Sequence, residues 1–395
     1  MLHRIEIENY RSIRETQTID LRLPRTAPDM PRFVASHGTA DVHLPTVVAF
    51  FGPNASGKTT VLRALTSTLD FAVHSFFLPP DQPVPYFQPF RSAAWWDRPT
   101  RIAVDFDAEW IGGVGHVYRY ELTINHSRSA GAAVLTEALL VRDGRRLRAL
   151  FRRDARGIRC ASELDLPPSD SRLKAVRPNA SLISTMAQLN HPMFRTAWND
   201  IALTQRNLFD LQTAPFNIES ALRFLHSDEN ALADLQRQLG RLDLGLQNMT
   251  IENTSHGLVA VFQHEGLEGT VLLGEESNGT RRFLAMFPVL WFTLQTGRPA
   301  IIDEFDVDLH PLLVPELLSW FHDPVVNRYK AQLFFAGHNA ALMEYLEKEE
   351  IFLVEKSRGG ASTVTALRDF QGLRREPSLQ KKYLGGAFGA VPNIG

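Results

Sequence analysis

The chain has 395 residues, 44% of them hydrophobic and 22% charged, with a formal net charge of −2. That ordinary globular mixture allows one large or two medium domains, and its charge balance gives no global field for nucleic acid, so such contact has to come from a local patch. A single cysteine, Cys160, excludes an intrachain disulfide and a zinc site of its own, which fits a reducing compartment with the cytoplasm as default.

The opening MLHRIEIENYRSI alternates apolar and charged residues, so it reads as a strand and not as a secretory leader. A turn at Asn9-Tyr10-Arg11-Ser12 then predicts a hairpin whose second strand ends near Leu23. Prolines at 24, 28 and 31 make 24–41 a loop before an apolar strand over 46–51. That strand runs into GPNASGKTT and then a stretch with helical spacing. The proline-rich segment 78–89 is a surface loop. Short alternating runs at 102–106, 117–124, 134–141 and 146–152 predict an antiparallel sheet, and 165–170 is another proline-containing break. Between 181 and 247 the pattern is helical, with an amphipathic helix over 231–239 closed by Gly240 and no heptad run long enough for a coiled-coil arm. From 258 to 394 strands and helices alternate, and the apolar stretch 283–292, flanked by Arg281 and Arg282, is too short to cross a bilayer. No membrane contact is expected.

The segment Gly52-Pro53-Asn54-Ala55-Ser56-Gly57-Lys58-Thr59 has the G-x-x-x-x-G-K-[ST] form, and its strand-before, helix-after context is the one that chemistry requires. The glycines let the backbone curl so that amides from Asn54 through Thr60 point at phosphates. Lys58 reaches the β and γ oxygens, and Thr59 offers a hydroxyl to Mg²⁺. A second apolar run ends in Asp303-Glu304: Asp303 is assigned to the magnesium shell and Glu304 to polarising the attacking water. A third apolar strand, 332–337, ends at His338, which is either an ordinary strand-end histidine or a group that helps place that water. Glu276-Ser277-Asn278-Gly279-Thr280 precedes an apolar helix and, taken locally, is an N-cap.

Taken in order, the phosphate loop, the Ser-x-Gly turn, the Asp-Glu pair and the histidine resemble the ABC-type ATPase heads. Ser277 and Gly279 match the serine and second glycine of that family's L-S-G-G-Q signature, whereas Glu276, Asn278 and Thr280 depart from it. The resemblance implies that the serine turn of one copy caps the nucleotide held by another, hence a homodimer or an oligomer of dimers with composite sites. The hairpin with Asn9-Tyr10-Arg11-Ser12-Ile13 is similar to the RecF, SMC, Rad50 and OLD-like group, which places Arg11 and Ser12 close to the nucleotide. Asp306, Leu309, His310 and Pro311, with the tail from Tyr383 to Pro392, resemble the abortive-infection (RloA-like) defence ATPases of that group. These act beside a separate, nuclease-like effector.

Gln88 is the candidate for the glutamine that completes the magnesium shell, with Gln82 second, and a solvated side chain is the alternative for both. His191, His322 and Trp95-Trp96 show no metal or cofactor spacing. Seven arginines, at 145, 146, 148, 152, 153, 156 and 159, form either a solvated strand face or a patch for nucleic-acid phosphates or an acidic partner. The expected architecture is an α/β, ABC-type P-loop ATPase head with an antiparallel β-subdomain and a short helical insertion. Residues 1–165 form the nucleotide-binding lobe, 166–250 the insertion, and 251–395 the lobe with signature, acids and histidine. The expected function is ATP- and Mg²⁺-dependent hydrolysis controlling an anti-phage effector, with DNA repair acting directly on DNA as the alternative.

Overall fold

Val47–Phe51 is buried at every position, as a strand covered on both faces must be, and its side-chain parity explains the layering of the molecule. Val48 and Phe50 enter one hydrophobic core, and Val47, Ala49 and Phe51 enter another. The same split recurs in the neighbouring strands, where Ile301, Phe334 and Phe352 join the first core while Ile302, Phe335 and Leu353 join the second. One sheet therefore separates two cores.

The computed structural model describes residues 1–144, 146–209, 212–241, 246–255, 257–370 and 378–391. The dividing sheet has six strands, in the order Gln205–Arg206, Ala300–Ile302, Leu333–Ala336, Val47–Phe51, Ile351–Lys356 and Ser362–Ala366. The first five are parallel, and the last pairs antiparallel with its neighbour. The strand bearing the future histidine thus lies between the phosphate-loop strand and the acid strand, with Phe335 opposite both Ala49 and Ile302.

A second sheet of seven antiparallel strands closes the first core. It contains the opening hairpin, Leu2–Glu8 with Gln17–Asp20, then Thr100–Ala108, His116–Ser127, Gly131–Asp143, Arg146–Asp154 and Gly157–Cys160. Helix Lys58–His74 contributes Val61, Leu62 and Leu65 to the core that this sheet covers. Helices Asn278–Thr296 and Leu313–His322 fill the other core, where Phe283, Phe287 and Trp320 pack ring against ring at 5.9–6.4 Å. Helices Ile218–Ser227 and Glu229–Arg241 join them, and Trp291 Nε1 donates to Asp234 at 2.9 Å.

The expected α/β layout with an antiparallel β-subdomain and helical segments is present, with local departures. The loop expected over 24–41 holds the strand Phe33–Ala35, paired with His43–Pro45. The helical stretch 181–247 also contains short strands, Gln205–Arg206 in the parallel sheet and Leu208–Phe209 paired with Gln212–Thr213. Helix Glu229–Arg241 runs through Gly240 instead of ending there, because Leu235 and Leu239 are buried on one face and hold the last turn. The strand Leu246–Thr254 crosses position 250 and pairs with Gly257–His264. Position 145 and the tail beyond 391 lie outside the described residues.

Candidate functional site

Parallel strands deliver their following loops to one edge, so Gly52–Thr59, Asp303-Glu304 and His338 emerge side by side from three adjacent strands. The phosphate loop is held open by backbone conformation. Gly52 and Gly57 have φ of 155° and 111°, and Ala55, at φ 62°, is left-handed. A Cβ on Gly57 would meet the hydroxyl of Ser362 at 2.3 Å and that of Ser12 at 2.9 Å, so only glycine fits against the elements packed beneath it. Gly57 then caps the helix Lys58–His74, whose first-turn amides face the loop.

Lys58 is buried and its ammonium donates to the carbonyls of Gly52 at 2.8 Å and Pro53 at 3.2 Å. Burial pushes its pKa below the ordinary lysine range, and the Asp303 and Asp306 carboxylates pull partly back. Among the described residues the buried hydroxyl of Ser56 has no hydrogen-bond partner. An unspent hydroxyl beside a lysine and a row of backbone amides is the donor set that a triphosphate takes up. Asn54 and Ala55 are exposed at the loop tip, and Thr59 and Thr60 are half-buried at the helix start.

The opening hairpin reaches this loop. Ser12 Oγ lies 3.2 Å from Thr60 Oγ1 and 2.8 Å from Ser362 Oγ, and Ser362 Oγ donates to the carbonyl of Ser56 at 2.6 Å. Arg11, left-handed at φ 52°, has a buried Nη2 without a partner among the described residues and a backbone N–H that donates to the Gln88 carbonyl at 2.8 Å. Burial lowers the pKa of nearby Arg63, with the charge of Arg11 adding to the effect. Gln88 thus adjoins Arg11 through its backbone, while its side chain accepts from Arg91 at 3.4 Å and lines a cleft of about 350 Å³ with Phe87 and Trp96. Gln82 offers its carbonyl to Asn179.

On the acid strand, Asp303 is 3% exposed, whereas Glu304 is exposed and left-handed at φ 55°. Asn207 holds both the N–H and the C=O of Asp303, at 2.8 and 2.9 Å, and Thr213 donates to Asp303 Oδ2 at 3.1 Å. Asp306, part of the D-x-x-L-H-P pattern, accepts from the amides of His338 and Asn339 at 3.0 and 2.7 Å, fixing the turn that carries the exposed His338 ring. Among the described residues no three His, Cys, Asp or Glu side chains gather around one point. A magnesium ion here would be held by the Thr59 hydroxyl and the Asp303 carboxylate together with phosphate oxygens and water, a donor set that suits it.

Ser277 caps the helix Asn278–Thr296, its Oγ accepting from Thr280 N at 3.1 Å, and it is exposed together with Asn278. Gly279 sits against the Asp308 carbonyl, which a Cβ would meet at 3.2 Å. Arg282, one turn along, donates to the Glu304 carbonyl at 3.0 Å and lies 4.8 Å from the Phe216 ring centroid. Among the described residues no hydrogen bond joins Ser277 to the phosphate loop of its own chain. The sequence reading missed Asn207, Thr213, Ser362 and the role of Arg282. Each is an unremarkable polar residue whose partner lies far along the chain, so no spacing marked it.

The tail folds back onto the strand Ile351–Lys356. Glu355 accepts from the Ala390 amide, Gly389 leaves room for that carboxylate, and Tyr383 donates to the Ala390 carbonyl at 2.7 Å. Three of the seven arginines of the basic stretch are paired within the chain: Arg148 with Glu163 at 2.7 Å, Arg153 with Glu137 at 3.4 Å, and Arg159 with Asp154. His191 meets the Leu164 carbonyl at 2.6 Å and His322 meets Glu350 at 2.9 Å. Among the described residues no helix is long and apolar enough to cross a membrane.

Three solved structures match along 92% of this chain, each at 13% identity. They are the SMC head domain from Thermotoga maritima (98% of that chain, TM-score 0.45), the SmcHead bound to the C-winged helix domain of ScpA (96%, 0.44), and the Smc head domain with an extended coiled coil bound to the C-terminal domain of ScpA derived from Pyrococcus furiosus (95%, 0.43). A comparison with curated proteins returns no match. A family model described as "AAA domain" matches residues 4–75, which span the opening hairpin, the phosphate loop and its helix. A second model matches residues 47–344, from the phosphate-loop strand past the acids and His338. These two family matches bear out the expected similarity to AAA-family ATPases of the abortive-infection kind. The chain belongs to the family described as "AAA domain, putative AbiEii toxin, Type IV TA system".

Proposed function

We propose that two copies of this chain close around ATP and magnesium, hydrolyse the γ-phosphate bond, and use that cycle to control a separately encoded effector in defence against phage. The observation that carries the ATPase reading is the convergence of the Lys58 loop, the Asp303-Glu304 pair and His338 on one edge of three adjacent parallel strands. In this reading the loop amides and Lys58 bind and neutralise the β and γ oxygens, and Thr59 and Asp303 hold the metal. Magnesium, when bound, draws charge from the phosphate oxygens. Glu304, exposed at the strand end, takes a proton from the attacking water, and the His338 ring helps place that water.

Composite sites fit the exposure of Ser277. A helix N-terminus with an exposed serine suits an anion, yet among the described residues the Ser277 hydroxyl bonds only to Thr280. The nucleotide it would cap belongs to a second copy. The test is the mass of Glu304→Gln with and without ATP, beside the double variant that adds Ser277→Arg. An ATP-induced dimer lost in the double variant is expected. A particle that stays monomeric with ATP, or a double variant that still dimerises, would sink the sandwich.

The defence role is supported by the description of the matched family, which names a toxin and a type IV toxin–antitoxin system. Internal pairing of Arg148, Arg153 and Arg159 leaves less of the basic stretch for phosphates, which weighs against direct action on DNA. A stable complex with the product of a neighbouring gene is the expected result of co-purification. Tight, salt-sensitive DNA binding by the isolated chain would favour the repair role instead.

A further inference from the structure

The parallel ladder ends just where the chemistry begins. Edge strand Gln205–Arg206 pairs with Ala300 and Ile301 and then stops, so among the described residues no strand pairs with the peptide of Asp303, two residues further along, on that side. Asn207 supplies the missing pairing with its side chain. Its Oδ1 accepts from the Asp303 N–H at 2.8 Å and its Nδ2 donates to the Asp303 carbonyl at 2.9 Å. A carboxamide carries the same donor and acceptor as a peptide group, so this side chain extends the ladder past the strand's end.

The strands Leu208–Phe209 and Gln212–Thr213 follow and pair antiparallel. The Ala214 amide donates to the Asn207 carbonyl at 2.7 Å, and this closure places Thr213 where its hydroxyl donates to Asp303 Oδ2 at 3.1 Å. One short segment therefore fixes both the N–H and the C=O of Asp303 and ties down one oxygen of its carboxylate. Asn207 is 2% exposed, so a reciprocal pair of hydrogen bonds broken here is not replaced by bulk water. Three residues beyond Thr213, Phe216 lies beneath the Arg282 guanidinium, and that guanidinium donates to the carbonyl of Glu304. The segment thus touches the surroundings of both acids.

We propose that Asn207 and Thr213 are positioning residues for the Asp303 carboxylate, leaving its other oxygen aimed at the metal; this rests on the ATPase reading above. Their effect is on how well the carboxylate is oriented, and groups that orient a metal-binding carboxylate change metal affinity by roughly 10-fold or more when removed.

The test uses the full chain with Thr213→Val, which keeps the shape and removes the hydroxyl, and Asn207→Asp, which keeps the acceptor and removes the donor. Three quantities are read: thermal melting, binding of a non-hydrolysable ATP analogue in excess chelator, and Mn²⁺ binding to the analogue-loaded protein by paramagnetic resonance. The expected result for Thr213→Val is metal binding weaker by about 10-fold, with melting and metal-free nucleotide affinity unchanged. Asn207→Asp is expected to weaken metal binding at least as much, with a lower melting temperature, so the threonine variant decides the matter if the asparagine variant fails to fold. Unchanged metal affinity in Thr213→Val, or an equal loss of metal-free nucleotide affinity, overturns the proposal. Lys58→Ala separates the two levels. If it abolishes analogue binding while Thr213→Val binds metal normally, this inference alone falls. If it binds the analogue as the parent does, the ATPase reading falls and takes this inference with it.

Discussion

Two regions of this molecule place charged and polar groups out of water, and they treat them in opposite ways. Inside the antiparallel sheet, Glu137 is fully buried, and burial pushes its pKa up against the pull of Arg153. It accepts from the Leu182 amide at 2.9 Å, the Tyr120 hydroxyl at 3.0 Å and Arg153 at 3.4 Å, while Arg153 also donates to the carbonyls of Ala180 and Arg177. This group is closed within the chain. At the carboxyl edge of the parallel sheet, Ser56 Oγ and Arg11 Nη2 are buried without partners among the described residues, and Glu304 and His338 are exposed at strand ends. The contrast separates architecture from chemistry: a satisfied cluster holds elements together, whereas unspent donors beside a left-handed loop leave interactions for a ligand.

The comparison breaks if variants in the two regions have the same consequences. At the site edge, Glu304→Gln is expected to lower turnover by on the order of 10²–10⁴-fold, the usual contribution of a positioned proton acceptor, while ATP still binds. Phosphate release under saturating ATP measures this, and unchanged turnover removes Glu304 from its role. In the closed cluster, Arg153→Met should cost about 3–5 kcal/mol of stability by stranding Glu137, with nucleotide affinity unaltered in the folded fraction. Urea unfolding at neutral pH reads it. Back at the edge, Lys58→Ala is expected to weaken ATP binding by about 100-fold or more, since a charge-assisted contact to phosphate is lost. Titration calorimetry decides, and an unaltered affinity contradicts the loop assignment.

The smallest effect concerns pH. Burial lowers the His126 pKa to about 4 in the fold, so between pH 6.5 and 4 the unfolded chain binds a proton that the folded chain does not. Stability through this group is therefore present above the unfolded value and lost as pH falls toward the folded one. His126→Gln should flatten the fall in melting temperature over that window, on top of a constant offset from the altered contact with Thr100. An identical acid profile in the variant would show that other groups govern it.

Legibility in the sequence followed the range of the interactions. The phosphate loop was readable because glycine conformations, the lysine and the hydroxyl must sit within one short turn, and the flanking strand and helix are contiguous with it. The seven-stranded sheet was largely readable from period-two alternation, whereas the strands Phe33–Ala35 and Gln205–Arg206 were not. Each is three residues or fewer and exists only because a neighbour pairs with it. Gln88 shows the limit at the site itself. Its choice rested on resemblance, and the fold sets its backbone against Arg11 but its side chain beside Arg91, contacts that no local pattern encodes.

What the sequence determined by itself was the set of local instructions: which strand runs into the phosphate loop, which strand ends in two acids, which ends in a histidine, and which helix starts at a serine. The tertiary structure alone decided that the histidine strand lies between the other two, that Ser362 and Ser12 brace Gly57, and that Asn207 holds Asp303. The reason is physical. Propensity, turn geometry and capping act within a few residues and leave periodic marks, but a hydrogen bond between positions 207 and 303 leaves none, because closing the chain between them costs entropy that only the whole packed core repays.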